Sequence, residues 1–502
     1  MKTLFECENM ASLPTEKSSA SFWHSEPSEF LLGHRTTAAL PKEVDVVIVG
    51  SGITGASAAR SLAEDEAAKG LSIVMLEARE ACWGATGRNG GHCQPLLFER
   101  GPDVAAFELR NYHAIKSYIS DNDIPCEWRA LPGCRSFWTK ALAKAAAKNV
   151  RELQNADPEI GKEVKVIENE DEIRKLRVNG APGVTLTAVA ASLWPYKLVT
   201  FMLEKLVKEH GLNLQTKTPV TKIEPLNPNS DDTAKGLRHT LHTSRGPLHA
   251  RHIILATNGY TSHLLPSFTT LIVPERGVMT SLLPPANSTR LAASHGFVGA
   301  NGGNPIHDDY LVQRPFNGMP NPRGHLMFGG GNVGKTMKTV DEDDDSVVDW
   351  GSVGYLKKAL LGLLDLGGET EGIDELECTH AWSGILGTSI DQHPWVGTAP
   401  GEGMEGVWLA GGYSGHGMPN GALCGKAVVD MMLAQEAGLP VDAVQEQLVK
   451  SGNLPRSYLI TKERIERCKR LDSVEVQDVK RLEGLKHLTA LPGLKQQDDA
   501  KL

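Results

Sequence analysis

Three glycines and one glutamate near the start of the chain have the residue types and spacing to bind a phosphate-linked nucleotide. Gly50, Gly52 and Gly55 follow an apolar, β-branched run as G-x-G-x-x-G. At this spacing the first glycine permits a tight turn, the second lets the backbone approach a pyrophosphate, and the third lets a helix pack closely on a strand. Glu77 ends the next apolar run, where a carboxylate can accept hydrogen bonds from ribose hydroxyls. These residues predict a dinucleotide-binding site.

A β-α-β unit must position these residues, and the surrounding sequence predicts one. Residues 44–49 are typical of a buried parallel strand, residues 56–68 are alanine-rich with a helical pattern, and residues 71–76 predict a second strand. The helix N-terminus would present unbonded N–H groups and a positive dipole end to the phosphates. A lone glycine motif also occurs as a turn in ordinary α/β domains, but here every flanking element is in place.

A second match to the same spacing occurs at Gly329, Gly331 and Gly334. No helical pattern follows it, and residues 335–350 are polar and strongly acidic, which would repel a pyrophosphate. We interpret this match as the end of a strand and a loop. The sequence therefore predicts one dinucleotide site.

Two other glycine-rich segments are candidates for ligand contact. Residues 83–95, WGATGRNGGHCQP, offer many backbone N–H groups with little side chain, which suits a loop wrapped around a ligand, although a surface loop can have the same composition. Arg88 in this segment could pair with a phosphate or an anionic cofactor ring. Residues 411–418 lie between a predicted strand, 407–410, and a predicted helix, 421–434. A helix N-terminus there could stabilise negative charge on a reduced ring.

The composition is that of an ordinary globular protein. The 502 residues are 40% apolar and 23% charged, so the chain should form two or more domains. A net charge of −9 argues against nucleic acid or anionic membrane as the main partner. No apolar stretch is long enough to predict a membrane span, and the N-terminus lacks the apolar region of a secretory signal.

Neither the cysteines nor the acidic residues predict a metal site. The eight cysteines are scattered without C-x-x-C spacing, so we expect no disulfide framework, no structural metal and a reduced intracellular setting. The acidic run Asp341–Asp345 is interpreted as a solvated loop, because adjacent aspartates do not converge on a cation without a turned scaffold. The C-terminal tripeptide Ala500-Lys501-Leu502 is similar to a peroxisomal address. An ordinary polar tail on a cytoplasmic protein is the alternative.

Several segments together resemble one enzyme family. They are VVIVGSGITGASAARSL with its terminal LE, GATGRNGG, ATNGYT, WSGILGTSIDQHPWVG and WLAGGYSGHGMPNGALCGKAV, and they extend over about 40–440. They resemble the D-amino-acid oxidase-like FAD-dependent oxidoreductases, in the branch of γ-glutamylputrescine oxidase and of the glycine and sarcosine oxidases. The resemblance is specific for family and cofactor and does not identify the substrate.

The resemblance implies an α/β fold with a discontinuous, Rossmann-like FAD-binding domain and an α+β, sheet-based substrate domain. The predicted segments are an N-terminal arm (1–40), three FAD-binding segments (41–126, 190–260 and 376–440), two substrate-domain segments (127–189 and 261–375) and a C-terminal extension (441–502).

The resemblance also implies roles for individual residues. Those expected to hold FAD are Gly50, Gly52, Ile53, Thr54, Gly55 and Glu77 at the ADP half, Val220 at the adenine, Ala85, Thr86, Arg88, Asn89 and Gly90 on the flavin side, and Gly415, His416 and Gly417 beside the flavin ring. His416 is the titratable group expected nearest the ring and the candidate catalytic residue. Arg276, Tyr310 and Arg314 are candidates for binding a substrate carboxylate. A salt bridge or a packed tyrosine is the alternative for each.

The implied reaction is oxidation of the C–N bond of an amine or amino acid by hydride transfer to the flavin N5. Dioxygen is the expected acceptor, which gives an imine and hydrogen peroxide. Residues 272–285 contain no lysine of the kind that activates oxygen in some relatives. This leaves open an FAD-dependent dehydrogenase that passes electrons to a quinone or carrier, and a non-catalytic FAD-binding protein is a further alternative.

We expect FAD to be held non-covalently. Relatives that tether FAD use a cysteine near the position of Gly384 or a histidine in the loop where this chain has Arg88, and neither residue present can form that bond. Cys378 and His380 lie nearby in the sequence, which leaves a covalent link as the alternative.

Overall fold

The protein consists of two β-sheets with helices packed around them, as seen in a computed structural model. The structure describes residues 10–227, 229, 231–304, 307–316 and 324–470. The tripeptide 500–502 lies outside these residues, so the peroxisomal address stays a prediction. No helix in the described ranges combines the length and apolar character needed to cross a bilayer.

The elements alternate along the chain between the two sheets. The strands of the described residues are β1 (Glu43–Val49), β2 (Ile73–Leu76), β3 (His92–Cys93), β4 (Arg129–Phe137), β5 (Val164–Ile167), β6 (Gly183–Ser192), β7 (Asn213–Gln215), β8 (Val220–Pro225), β9 (His239–Thr243), β10 (Leu248–Leu255), β11 (Ile272–Leu282), β12 (Ser294–Val298), β13 (Asp308–Gln313), β14 (Leu326–Gly330), β15 (Cys378–Ser389), β16 (Trp395–Thr398) and β17 (Val407–Gly411). The helices are α1 (Ile53–Glu64), α2 (Pro102–Asp121), α3 (Lys140–Ala156), α4 (Pro158–Gly161), α5 (Glu170–Lys175), α6 (Pro195–His210), α7 (Asp231–Ala234), α8 (Thr261–Leu264), α9 (Trp350–Leu363), α10 (Gly421–Glu436), α11 (Val441–Lys450) and α12 (Lys462–Lys469).

The first sheet has a parallel centre in the order β17-β10-β1-β2-β7, with β16 antiparallel at one edge. Strand β9 pairs antiparallel with β10, and β8 pairs antiparallel with β9. Val46, Val47 and Ile48 of β1 are fully buried, as expected for a central strand with both faces covered. Helices α1 and α10 pack against each other beside this sheet. This sheet confirms the predicted Rossmann-like domain, and its strands come from three separate stretches of chain.

The second sheet has nine strands in the order β15-β11-β14-β13-β12-β4-β6-β3, with β5 attached beside β6. Its pairs are antiparallel except for β4 with β12. The sheet-based second domain is therefore confirmed. The segment boundaries stay a prediction, and β3 and β15 join this sheet although both fall within predicted FAD-binding segments.

Two local predictions are also confirmed: the amphipathic pattern that begins at Trp194-Pro195-Tyr196 predicts a helix that Gly211 ends, and the second glycine match predicts a strand end and a loop. Gly211 ends α6 in the left-handed conformation, with φ of 70°, where a residue with a Cβ would be strained. The second glycine match ends β14 and continues as the short 3-10 turn Asn332–Gly334. The next helix, α9, begins only at Trp350.

Replacement of Gly55 by alanine tests the close approach of α1 to β1. A Cβ at Gly55 would lie 2.0 Å from the carbonyl oxygen of Gly50, and neither backbone segment can move without disturbing the turn. We expect Gly55→Ala to lower the free energy of unfolding by about 1–3 kcal/mol or more, measured by chemical denaturation. Gly354, within α9, has open space around it and is the matched control. Gly354→Ala should be neutral or stabilising by up to about 1 kcal/mol; equal losses in both variants would contradict this interpretation.

Candidate active site

A cavity of about 690 Å³ lies between the turn that follows β1 and the face of the second sheet. This volume is in the usual range for ligand sites. Its walls come from the β1–α1 turn, the end of β2, the loop after β2, the loop after β10, the middle of β11 and β15, and the loop before α10. Every residue predicted to hold FAD lines this cavity except Gly55, which lies behind the turn against Gly50.

The glycine turn leaves the N-terminus of α1 open to the cavity. Gly50 has φ of 105°, and a Cβ there would lie 2.7 Å from the carbonyl oxygen of Ala256. Gly52 is the N-cap of α1 and brings no side chain to its N–H groups. The Ile53 N–H donates to Oγ1 of Thr86 at 3.1 Å. The helix start can therefore receive an anion close to the backbone.

The carboxylate of Glu77 is held rigidly at the same end of the cavity. Its Oε2 accepts hydrogen bonds from the N–H of Ser51 at 3.0 Å and from its hydroxyl at 2.6 Å. Its Oε1 accepts from the N–H of Arg79 at 2.9 Å. Carboxylate oxygens can each accept more than one hydrogen bond, and Glu77 lines the cavity beside Val220. The expected role of this pair, to hold the ribose and the adenine, stays a prediction.

Arg88 lines the cavity, but its guanidinium is bound elsewhere. It lies 3.3 Å from Oδ2 of Asp345 and donates to the hydroxyl of Ser18, to both oxygens of Ser19 and to the carbonyl of Ser383. Burial lowers the pKa of Arg88 to about 10, although Asp345 favours the charged form. The donors of Arg88 face protein acceptors, and the expectation that this cation pairs with a phosphate or an anionic ring stays a prediction.

Asp345 corrects the expectation that the acidic run 341–345 is a solvated loop. The Asp345 side chain is fully buried and also accepts two hydrogen bonds from Nη1 of Arg79, at 2.8 and 2.9 Å. Two arginines therefore share one carboxylate beneath the loop that follows β2. No group of His, Cys, Asp and Glu within the described ranges is arranged to hold a metal ion.

Hydrogen bonds join the loop before α10 to residues of α2. Asn420 donates to Oε1 of Glu108 at 2.8 Å and to the carbonyl of His416 at 2.9 Å. Asn111 donates to the carbonyl of Met418 at 2.9 Å. Burial raises the pKa of Glu108. Sequence reasoning missed this network, because Glu108 and Asn111 look like ordinary polar positions of an amphipathic helix.

His416 lines the cavity from this loop. Burial and the positive charges of Arg100 and Arg135 lower its pKa well below the ordinary value, so its imidazole is uncharged at neutral pH. The structure therefore supplies a neutral ring at the predicted flavin-proximal position.

The three candidate substrate residues differ in whether they line the cavity and in what they bind. Tyr310 lines the cavity and accepts a hydrogen bond from the N–H of Gly90 at 2.8 Å. Arg276 also lines it, but its Nη groups bind the carbonyls of Asp344 and Lys338. Arg314 is not among the lining residues and makes a bidentate pair with Glu127. Arg314 therefore forms a structural ion pair, which is the alternative that the sequence left open.

The cavity wall at the second sheet contains charged residues that the sequence did not single out. Arg135 of β4 lies 2.9 Å from Oε1 of Glu99 and 3.0 Å from Oδ2 of Asp308. Burial opposes its charge, but Asp308 and Glu99 raise the pKa of Arg135 above its ordinary value. His92 also lines this part, and burial together with Arg135 lowers its pKa to about 3.

Comparison with known proteins identifies the family. The family model for FAD-dependent oxidoreductases designated DAO matches residues 45–431. The chain belongs to this family. It is an FAD-dependent oxidoreductase, and the resemblance stated from the sequence is confirmed.

The DAO-family relatives are distant in sequence and similar in length. The "Probable oxidoreductase OrdL" of Rhizobium meliloti is 24% identical over 415 residues, 79% of this chain and 85% of that protein. The gamma-glutamylputrescine oxidoreductase of Escherichia coli is 22% identical over 415 residues, 77% of this chain and 83% of that protein. The crystal structure of glycine oxidase from Geobacillus kaustophilus has a TM-score of 0.61 at 18% identity, covering 79% of this chain and 95% of that one. That likeness shows a shared fold.

The cavity fits the cofactor of the DAO family. Its turn has room for no Cβ at Gly50, its N-cap residue Gly52 has no side chain, and its carboxylate at Glu77 lines the cavity and can accept from ribose hydroxyls. The expectation of FAD as cofactor is confirmed by the family. The assignment of each residue to a part of FAD stays a prediction.

Asp345→Asn tests the buried ion network. The change leaves the guanidinium groups of Arg79 and Arg88 buried without a counter-charge, so we expect the free energy of unfolding in urea to fall by about 3–5 kcal/mol. Asp341 belongs to the same acidic run, but it is exposed and lies 3.7 Å from Lys338. Asp341→Asn should therefore cost less than about 1 kcal/mol. Losses of similar size in the two variants would mean that Asp345 does not carry the network.

Proposed function

We propose that the protein oxidises the C–N bond of an amine or amino acid, with dioxygen as the acceptor, giving an imine and hydrogen peroxide. One observation carries the proposal. A single cavity joins the glycine turn to a compartment against the second sheet, lined by Tyr310, Met279 and Arg135. A nucleotide cofactor held at the turn therefore shares its cavity with space for a second, small molecule. The names of two similar proteins, gamma-glutamylputrescine oxidoreductase and glycine oxidase, support an amine or amino-acid substrate.

FAD, when bound, supplies the hydride acceptor. The chain's own residues then need only bind and orient the substrate and keep its nitrogen uncharged. Arg100 and Arg135 line the compartment beside the neutral imidazole of His416. Arg135 is paired with Glu99 and Asp308, so its charge is already balanced. The neutral imidazole and the paired charges leave the free-base amine as the form that the compartment can accommodate, and these groups need not serve as a general base.

We also propose that FAD is held without a covalent bond. Gly384 lies against Arg88, where an added Cβ would be 3.2 Å from the Cβ of Arg88. The guanidinium of Arg88 is paired with Asp345 and donates a hydrogen bond to the hydroxyl of Ser19. Neither position offers a nucleophile to the cavity.

A dehydrogenase that passes electrons to a quinone or carrier is the second candidate. One observation favours it: among the described residues that line the cavity, several are arginines and none is a lysine. Both candidates share the cofactor site and the substrate compartment, and they differ in the electron acceptor.

The purified protein distinguishes these proposals. We expect a yellow protein whose flavin stays in the supernatant after acid denaturation, and peroxide release with one class of amine or amino acid in air. Flavin in the pellet would contradict non-covalent binding. Bleaching by a substrate without peroxide would favour the dehydrogenase, and no bleaching by any amine under anaerobic conditions would contradict both.

The pH dependence of turnover tests the role of His416. Because the pKa of His416 lies well below its ordinary value, the imidazole stays neutral between pH 6 and 9. We expect kcat/KM to rise with pH as the substrate amine loses its proton, and His416→Gln to leave the midpoint of that rise unchanged. A midpoint that moves in the variant would identify His416 as a titrating catalytic group.

A further inference from the structure

Residues 10–25, here called the strap, lie outside the family-matched range 45–431 and include the 3-10 turn Phe22–His24. Residues 12–14 of the strap nevertheless line the cofactor cavity, and its second half is bonded to the loop that follows β2. We propose that the strap is part of the cofactor-binding site of this chain: it closes the ribose end of the cavity and fixes the orientation of the loop at residues 83–95. The inference concerns FAD binding and does not depend on which substrate is oxidised.

The first half of the strap covers the cavity end that holds Glu77 and Val220. Ser12, Leu13 and Pro14 are lining residues there. The segment is fixed by the N–H of Ala11, which donates to the hydroxyl of Ser262 at 2.9 Å. The adjacent α8 packs against β8, which begins at Val220. A nucleotide that enters the ribose end must therefore lie beneath residues 12–14.

The middle of the strap joins the ion network. Thr15 donates through its hydroxyl to Oδ1 of Asp345 at 2.8 Å. The Ser19 hydroxyl donates to the carbonyl of Asp345 at 2.7 Å and accepts from the N–H of Ser383 at 3.0 Å. Nη2 of Arg88 donates to the carbonyl of Ser19 at 2.6 Å. The strap thus shares the carboxylate that holds Arg79 and Arg88.

The second half of the strap determines which way the peptide groups of the loop point. Ser21 donates to the carbonyl of Gly87 at 2.9 Å, and the indole N–H of Trp23 donates to the carbonyl of Asn89. Between them, the indole of Trp382 in β15 donates to the carbonyl of Arg88 at 2.7 Å. Three consecutive carbonyls are therefore bonded on the side of the loop that faces the strap and β15.

The N–H groups that follow these carbonyls must point the other way, because C=O and N–H lie on opposite sides of a trans peptide. The N–H of Gly90 follows the carbonyl of Asn89, and it points across to the hydroxyl of Tyr310 at 2.8 Å. By pairing the carbonyl of Asn89, the strap fixes the peptide whose N–H joins the loop to Tyr310 in the cavity wall. A loop held in one orientation can bind a ligand without reorganisation.

Two aromatic side chains hold the strap in place. Phe22 and Trp23 are buried, with at most 1% of each exposed. The indole of Trp194 donates to the carbonyl of Trp23 at 2.8 Å, and the guanidinium of Arg314 lies 4.8 Å from the ring centre of Phe22. A Cβ at Gly91 would come within 2.8 Å of the Trp23 ring. This contact leaves the strap and the loop no freedom to move independently.

Binding of FAD to the apoprotein tests the proposal. We expect Ser21→Ala and Trp23→Phe each to weaken FAD binding about fivefold, the effect of losing one hydrogen bond, and to speed flavin release on dilution. Trp408→Phe is the matched control, because Trp408 of β17 is equally buried, donates to His252 and does not line the cavity. We expect the control to lower the melting temperature of the apoprotein as much as Trp23→Phe does, while FAD affinity stays at the wild-type value. Equal affinity in all variants would overturn the proposal.

Hydrogen exchange of the unmodified protein provides a measurement that needs no variant. FAD should slow the exchange of backbone amides at residues 11–19 at least about tenfold, and should leave α3, which does not line the cavity, unchanged. Exchange at residues 11–19 that is the same with and without FAD would overturn the strap's role. Neither readout uses substrate turnover, so a protein that binds FAD as expected but oxidises no amine would contradict the proposed reaction alone.

Discussion

The buried carboxylate of Asp345, shared by Arg79 and Arg88, is the constraint on which the cofactor cavity depends. Removing one carboxylate and two guanidinium groups from water is costly, and only close pairing with further hydrogen bonds offsets that cost. The surrounding chain supplies those bonds from Thr15 and Ser19. One charge cluster thereby joins four segments: the end of β2, the loop after it, the N-terminal residues and the excursion that precedes α9. The glycine-rich loop at residues 83–95 is held in one conformation because its Arg88 must stay paired with Asp345.

The parts of the fold that the sequence predicts are those governed by neighbouring residues. The turn at Gly50, the open start of α1 and the end of α6 at Gly211 each depend on φ values and spacings within a few residues. The alternation of the two sheets along the chain follows from the family resemblance. The ion network could not be predicted, because Arg79 and Asp345 are separated by 266 residues. In the sequence, Asp345 looks like the last residue of a solvated acidic run.

The same limit explains why the sequence left the roles of the arginines open. An arginine in a region predicted to bind substrate can bind a ligand or an internal carboxylate, and the choice is made by residues from distant strands. Arg314 is paired with Glu127 and lies over Phe22, while Arg135, which the sequence did not single out, faces the cavity between Glu99 and Asp308. The glycine motifs do not have this ambiguity, since their role lies in the backbone conformation that they permit.

The pairing of charges also determines how the substrate compartment can recognise a ligand. Arg135 is neutralised by two carboxylates, and the imidazoles of His92 and His416 are held uncharged by burial and by nearby arginines. The hydroxyl of Tyr310 is bound to the loop through Gly90, and burial raises its pKa to about 12. The charge of Arg135 is thus already paired, and the imidazole and phenol groups of the compartment are neutral. Selectivity in such a site comes from shape and from hydrogen bonds to uncharged groups, which suits a reaction that requires the nitrogen as its free base.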